Sequence, residues 1–232
     1  MNSFIALARQ RAHVGAWALV VILVVLLLQN SLSDSIAISE LTPSQIDRAL
    51  SDELQYLGWQ IIKLVVFVPA VLFWLLDRRK ELRTALLLGN FLLTFELFSS
   101  VILLILTIGD THRAQLATLI RDTVVVMVIN ILNFSLWYWL IDVPGMREKT
   151  GHERDRWDFM FPQRAAAIPG YEKWSPRFPD YLFLALVTTT TFGPADTYPI
   201  STRAKLLMGM QVVNAFATLT VLAGRALTLI GS

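Results

Sequence analysis

Five apolar blocks, at residues 14–30, 57–76, 84–108, 123–141 and 206–230, constrain this chain more than any other feature. A hydrocarbon core about 30 Å thick takes ~20 apolar residues of helix to cross. Each block approaches or exceeds that length, so each is read as a membrane helix. With 55% of its residues hydrophobic and 16% charged, the chain is too apolar for a soluble domain of this size. The expected class is all-α and polytopic.

Residues 1–30 have a basic start and an apolar run, as a signal peptide would. The run is long and no A-x-A site follows, so it is read as a retained span. The net charge of +2 is small and no basic block is long enough for nucleic acid, so none is expected as a partner. Without cysteine there are no disulfides and no thiolate metal sites.

The second and third blocks are joined by the short charged link 77–83, which makes them an antiparallel hairpin. Lys63 and Glu96 then fall at nearly the same depth. An ionisable side chain at mid-membrane costs roughly 2.5–3.5 kcal/mol and pairs or faces water. A buried Lys63–Glu96 ion pair is therefore expected, as a lock on the hairpin rather than a proton relay. Asn130 and Asn133 lie on one face of the fourth block and suit interhelical hydrogen bonds. Its aromatic end, Trp137-Tyr138-Trp139, suits the headgroup level. A short helix is expected at 44–54, and another around 153–160 within the polar stretch 142–179. The mixed charges of that stretch predict a solvated collar.

The densest signal lies between 179 and 230. Pro179-Asp180 starts an apolar run that ends in Thr188, Thr189, Thr190 and Thr191. Phe192, Gly193, Pro194, Ala195 and Asp196 follow, then Pro199 and the last apolar block. The run is too short to cross as a helix. A half-helix ending inside the membrane points its partial negative pole at whatever lies beyond, and non-helical backbone at that depth must be buried or line water.

This order resembles the pore module of tetrameric potassium-type channels: pore helix, selectivity filter, inner helix. In that family the pattern is T-x-x-T-x-G-aromatic-G-D-x-x-P. Thr188, Thr191, Gly193, Asp196 and Pro199 match it without a gap. Pro194 stands for the aromatic and Ala195 for the second glycine. Proline lacks an N–H and alanine resists positive φ, so a full ladder of carbonyl ion sites is not expected.

The resemblance implies a fold of five transmembrane helices plus a re-entrant pore helix and filter, assembled as a homotetramer in the bilayer. Residues 1–110 would be peripheral helices (14–30, 57–76, 84–108). Residues 111–232 would form the pore module: outer helix 121–141, collar 142–179, pore helix 180–190, filter 188–196 and inner helix 203–230. Gln211, Asn214 and Thr218 form a polar stripe on the last helix; where four copies meet it would line the cavity, and in a single chain it would serve helix–helix hydrogen bonds instead. The implied function is a weakly selective or occluded cation channel in a plasma membrane, of bacterial inner-membrane type. A permeant K+ or Na+ would be its only ligand, with no cofactor and no other metal.

There is also a remote likeness to uncharacterised six-span bacterial membrane proteins with a degenerate filter-like stretch. It implies the alternative, a non-conducting or transporter-like protein in which that stretch is structural. No Ser/His/Asp or paired-carboxylate set stands at catalytic spacing within any one loop, so an enzyme is not expected.

Charge and motif pull apart on orientation. Potassium channels place the pore loop outside and the carboxyl terminus inside. Only Arg48, Arg113, Arg121 and Arg225 would then be cytoplasmic, against the rule that cytoplasmic loops are rich in Lys and Arg. If 180–201 instead crosses once, six crossings result, both termini are cytoplasmic and the charge rule is satisfied.

Overall fold

A computed structural model describes residues 16–32, 61, 63–65, 67–106, 116–142, 157–166, 169–170 and 174–230. The expected helix at 44–54 lies outside them. Helix α1 is Ala16–Asn30, α2 covers Lys63–Leu75, α3 is Arg79–Leu106 and α4 is Leu116–Asp142. Strand β1, Phe159–Met160, and the one-turn α5, Pro162–Ala165, follow. Then come α6, Phe178–Thr191, β2, Tyr198–Pro199, and α7, Thr202–Ile230.

Three of these helices, α3, α4 and α7, are long and apolar enough to cross a membrane. Their outward residues are apolar: Leu88, Phe91 and Phe95 on α3, Val124 and Val128 on α4, Leu206, Val213 and Phe216 on α7 are all exposed. A water-soluble helix would turn polar residues that way. The inward faces hold the buried amides, so polarity is inverted, as a lipid environment requires.

The chain turns from α2 into α3 through Asp77, a residue with positive φ, and Arg78 donates its N–H to Phe73 O across the bend. Helices α3 and α4 run antiparallel. Asn90 Nδ2 donates to Asn133 O, which sets their relative depth. Residues 107–115 reach at most ~35 Å when extended, less than the ~40 Å length of α4. A parallel arrangement would demand a longer link. Helix α1 starts where α4 ends, because Trp17 stacks on Phe178 at 6.1 Å and Phe178 meets Trp139 edge-on at 6.2 Å.

Two expectations need correction. The fold is mostly helical, yet β1 and β2 pair antiparallel, Phe159 with Pro199 and Met160 with Tyr198. The helix expected around 153–160 is this strand at its described end, with the helical turn displaced to Pro162–Ala165. Pro162 explains the shift: a proline is favoured in the first turn of a helix but disfavours helical backbone just before it. Nor is the collar a purely solvated face. Asp158, Phe159 and Phe161 are buried, and Phe161 packs edge-on against Trp174 and Tyr181.

Candidate functional site

Helix α6 starts at the end of α4 and runs back along it. Its first turn is closed by Asp180, whose carboxylate accepts the N–H of Arg177 at 2.6 Å and lies near the positive helix pole. At the next residue, Tyr181 OH donates to Asp142 Oδ2 at 2.7 Å. Both residues are buried, so α6 is tied to the last residue of α4.

The far end of α6 lies deep in the bundle. Asn130 Nδ2 donates to Thr189 Oγ1 at 3.3 Å and to Gln211 O at 3.4 Å. Asn130 sits about 18 Å along α4 from Asp142, at 1.5 Å per residue. Gln211 Nε2 donates to Thr189 Oγ1 at 2.7 Å and to Ala185 O at 2.8 Å. Its Oε1 accepts the hydroxyl of Tyr138. Asn214 Nδ2 donates to Asn130 Oδ1 at 3.1 Å, and Thr218 OH donates to Asn214 O. One buried amide and hydroxyl network thus joins α4, α6 and α7.

Helix α6 ends at Thr191, and Phe192 takes the left-handed conformation with φ 56°. That conformation costs a non-glycine residue roughly 1–2 kcal/mol. The Phe192 ring packs edge-on against Phe216 of α7 at 6.0 Å, which offsets part of it. The chain then returns towards its starting end. Ile200 N–H donates to Asp158 O at 2.8 Å, while Asp158 N–H donates to Asp142 Oδ1 at 2.6 Å. Arg203 clasps both oxygens of Asp158, its Nε at 2.7 Å from Oδ1. Such forked, charged pairs are the strong class of hydrogen bond. Ser201 adds a hydroxyl bond to the same carboxylate and caps α7 by accepting the N–H of Ala204. Residues 178–201 therefore form a hairpin, half helix and half extended chain, whose two ends both sit beside Asp142 and Asp158.

The expected filter 188–196 divides in two. Thr188 to Thr191 are helical, so the pore helix expected at 180–190 extends through all four threonines. Thr188 and Thr189 are wholly buried. Thr190, Thr191, Phe192, Pro194, Ala195 and Asp196 are exposed, and Gly193 is half-buried. The exposed hydroxyls turn back on the helix: Thr190 OH points at Leu186 O, and Thr191 OH lies 2.9 Å from both Val187 O and Gly193 O. A hydroxyl has one proton, so Thr191 donates to one of these carbonyls at a time, leaving lone pairs outward. The last four carbonyls of a helix lack intrahelical donors, which adds acceptor character to the tip. A side chain at Gly193 would meet no atom within 4 Å, so packing within the chain does not require glycine there.

The polar stripe on α7 is turned into the chain's own interior. Gln211, Asn214 and Thr218 are at most 1% exposed. Amides find partners in α4 and α6 more cheaply than in lipid, so the stripe faces inward. What α7 presents outward is Leu206, Met210, Val213 and Phe216.

Away from the hairpin, Lys63 Nζ lies 2.8 Å from Glu96 Oε1. The pair borders a cavity of about 20 Å³ between α1, α2 and α3, lined by Ile22, Leu26, Phe67 and Ala85, with room for about one water. Sequence reasoning missed Tyr138, Asp142, Asp158 and Tyr181. No local signal marked Asp158, because Ile200, Ser201 and Arg203, which bind it, lie more than 40 residues away. Among the described residues, no three His, Asp or Glu side chains gather as metal ligands would. Comparison of the chain with protein-family models, with curated proteins and with solved structures finds no match.

Proposed function

We propose that several copies of this chain, four by its resemblance to potassium-type channels, assemble in a membrane around their hairpins and pass small monovalent cations. The observation that carries this reading is the hairpin: a half-helix stops level with Asn130, well inside α4, and the chain leaves by the end at which it entered. At membrane depth such a turn is tolerated only against protein or water. Its outward edge, from Thr190 to Asp196, offers hydroxyl and carbonyl oxygen with a helix's negative pole behind it. Pro194 and Ala195 shorten the stretch that can act as a filter, which favours weak selectivity. In this reading Gln211, Asn130 and Asn214 hold the half-helix at its depth and do not line the path. The apolar outward face of α7 meets lipid or a neighbouring copy.

The buried stripe favours a second reading, a non-conducting or transporter-like scaffold in which the hairpin is structural. Flux separates the two. Liposomes containing the purified protein should pass K+ and Na+, and Gly193→Ala should reduce or alter that flux while leaving the subunit's thermal unfolding unchanged. A filter backbone is sensitive to one methyl group, whereas the isolated subunit has space for it. Absence of flux for both ions, together with a monomer in native mass spectrometry, would establish the second reading.

A further inference from the structure

We propose that the hairpin opens to the cytoplasm, with the carboxyl-terminal end of α7 outside, the reverse of the orientation implied by the channel resemblance. This rests on the membrane hairpin proposed above but not on conduction. The ends of the bundle are unequal in charge. One end gathers the start of α3, the end of α4, the β-ribbon and the starts of α6 and α7, joined through Asp142, Asp158, Tyr181 and Arg203. Arg78, Arg79, Lys80, Arg83, Arg177, Arg203 and Lys205 lie there. At the opposite end, among the described residues, stand Arg121, near the start of α4, and Arg225, near the end of α7.

The connecting segments carry the same bias. Residues 143–156, tethered at both ends to the hairpin end, contain Arg147, Lys149, Arg154 and Arg156, while 33–60 and 107–115 contribute Arg48 and Arg113. Lys and Arg close to span ends mark the cytoplasmic side. Six crossings would satisfy this rule, but only by carrying 180–201 through to the far end, and Ile200, Ser201 and Arg203 are bound to Asp158. Five crossings with a cytoplasmic hairpin satisfy both the charges and the contacts.

Because the chain lacks cysteine, single-cysteine labelling of the full-length protein in bacterial cells tests this directly. Thr150→Cys should react with an impermeant maleimide only after permeabilisation. Thr111→Cys, in the link between α3 and α4 at the opposite end, should react in intact cells, and alkaline phosphatase fused after Ser232 should be active. Reversal of all three results overturns the orientation and leaves the hairpin reading standing. A protected Thr150→Cys combined with an inactive carboxyl-terminal fusion means that 180–201 crosses, which overturns the hairpin reading as well.

Discussion

The α4–α6–α7 module and the α1–α2–α3 group are held together in different ways. In the first, Asn130, Tyr138, Thr189, Gln211 and Asn214 form a continuous buried network. Among the described residues, the second shows mainly apolar contact, with a Lys63–Glu96 pair beside a small cavity and Gln29 donating to Leu93 O at 3.4 Å. In a bilayer, lipid tails satisfy an apolar helix face as well as another helix does. Apolar packing alone therefore sets register weakly, and directional bonds must do it. A two-turn error in the depth of α6 would move the exposed threonines off the hairpin tip, whereas α1 and α2 tolerate small sliding against α3, which is itself held to α4 through Asn90 and Thr94.

Breaking the network should have the largest effect. Gln211→Leu removes the acceptor of Tyr138 OH and the amide donor to Ala185 O and Thr189 Oγ1 at once, leaving Thr189 only Asn130. The expected loss is on the order of 3 kcal/mol of unfolding free energy, from unsatisfied buried groups, together with any ion flux. Unfolding in detergent followed by circular dichroism measures it, and a loss near zero would mean the network does not set the depth of α6.

Next is the peripheral pair. Glu96→Leu should cost about 2 kcal/mol by leaving Lys63 uncompensated. Replacing both residues with leucine should recover most of that. A double variant as unstable as the single one would point to a role beyond charge neutralisation. Glu96→Gln should leave flux intact.

Smallest is Asn133→Leu. Asn133 Nδ2 donates to Thr94 Oγ1 at 2.8 Å, but Trp137 Nε1 donates to the same hydroxyl at 2.8 Å, so Thr94 keeps a partner. About 0.6 kcal/mol is expected, the average for an interhelical hydrogen bond in a membrane. A cost as large as that of Gln211→Leu would erase the contrast between the two regions.

Much of the architecture was legible in the residues. Long apolar runs give α3, α4 and α7, because helix is the local answer to unsatisfied backbone in an apolar setting. Lys63 and Glu96 could be paired by counting along a hairpin with a short link, since both the helical rise and the link length are fixed. The start of α6 was equally readable from Pro179 and Asp180.

Three features depended on what packs against what. Whether the Gln211 stripe faces in or out is not a property of α7, as either face of a membrane helix can be buried. Asn130 and Thr189, distant in sequence, decide it. The extension of α6 through Thr191 and the pairing of β1 with β2 likewise depend on partners, Phe216 for Phe192 and Asp158 for Ile200 and Arg203. By itself, then, the sequence determined which long apolar segments are helical and that Lys63 and Glu96 meet, because those follow from local hydrogen bonding, hydropathy and the length of one short link. Only the tertiary structure decided which way the polar faces turn and where residues 192–201 go, because those depend on directional bonds between residues far apart in the chain.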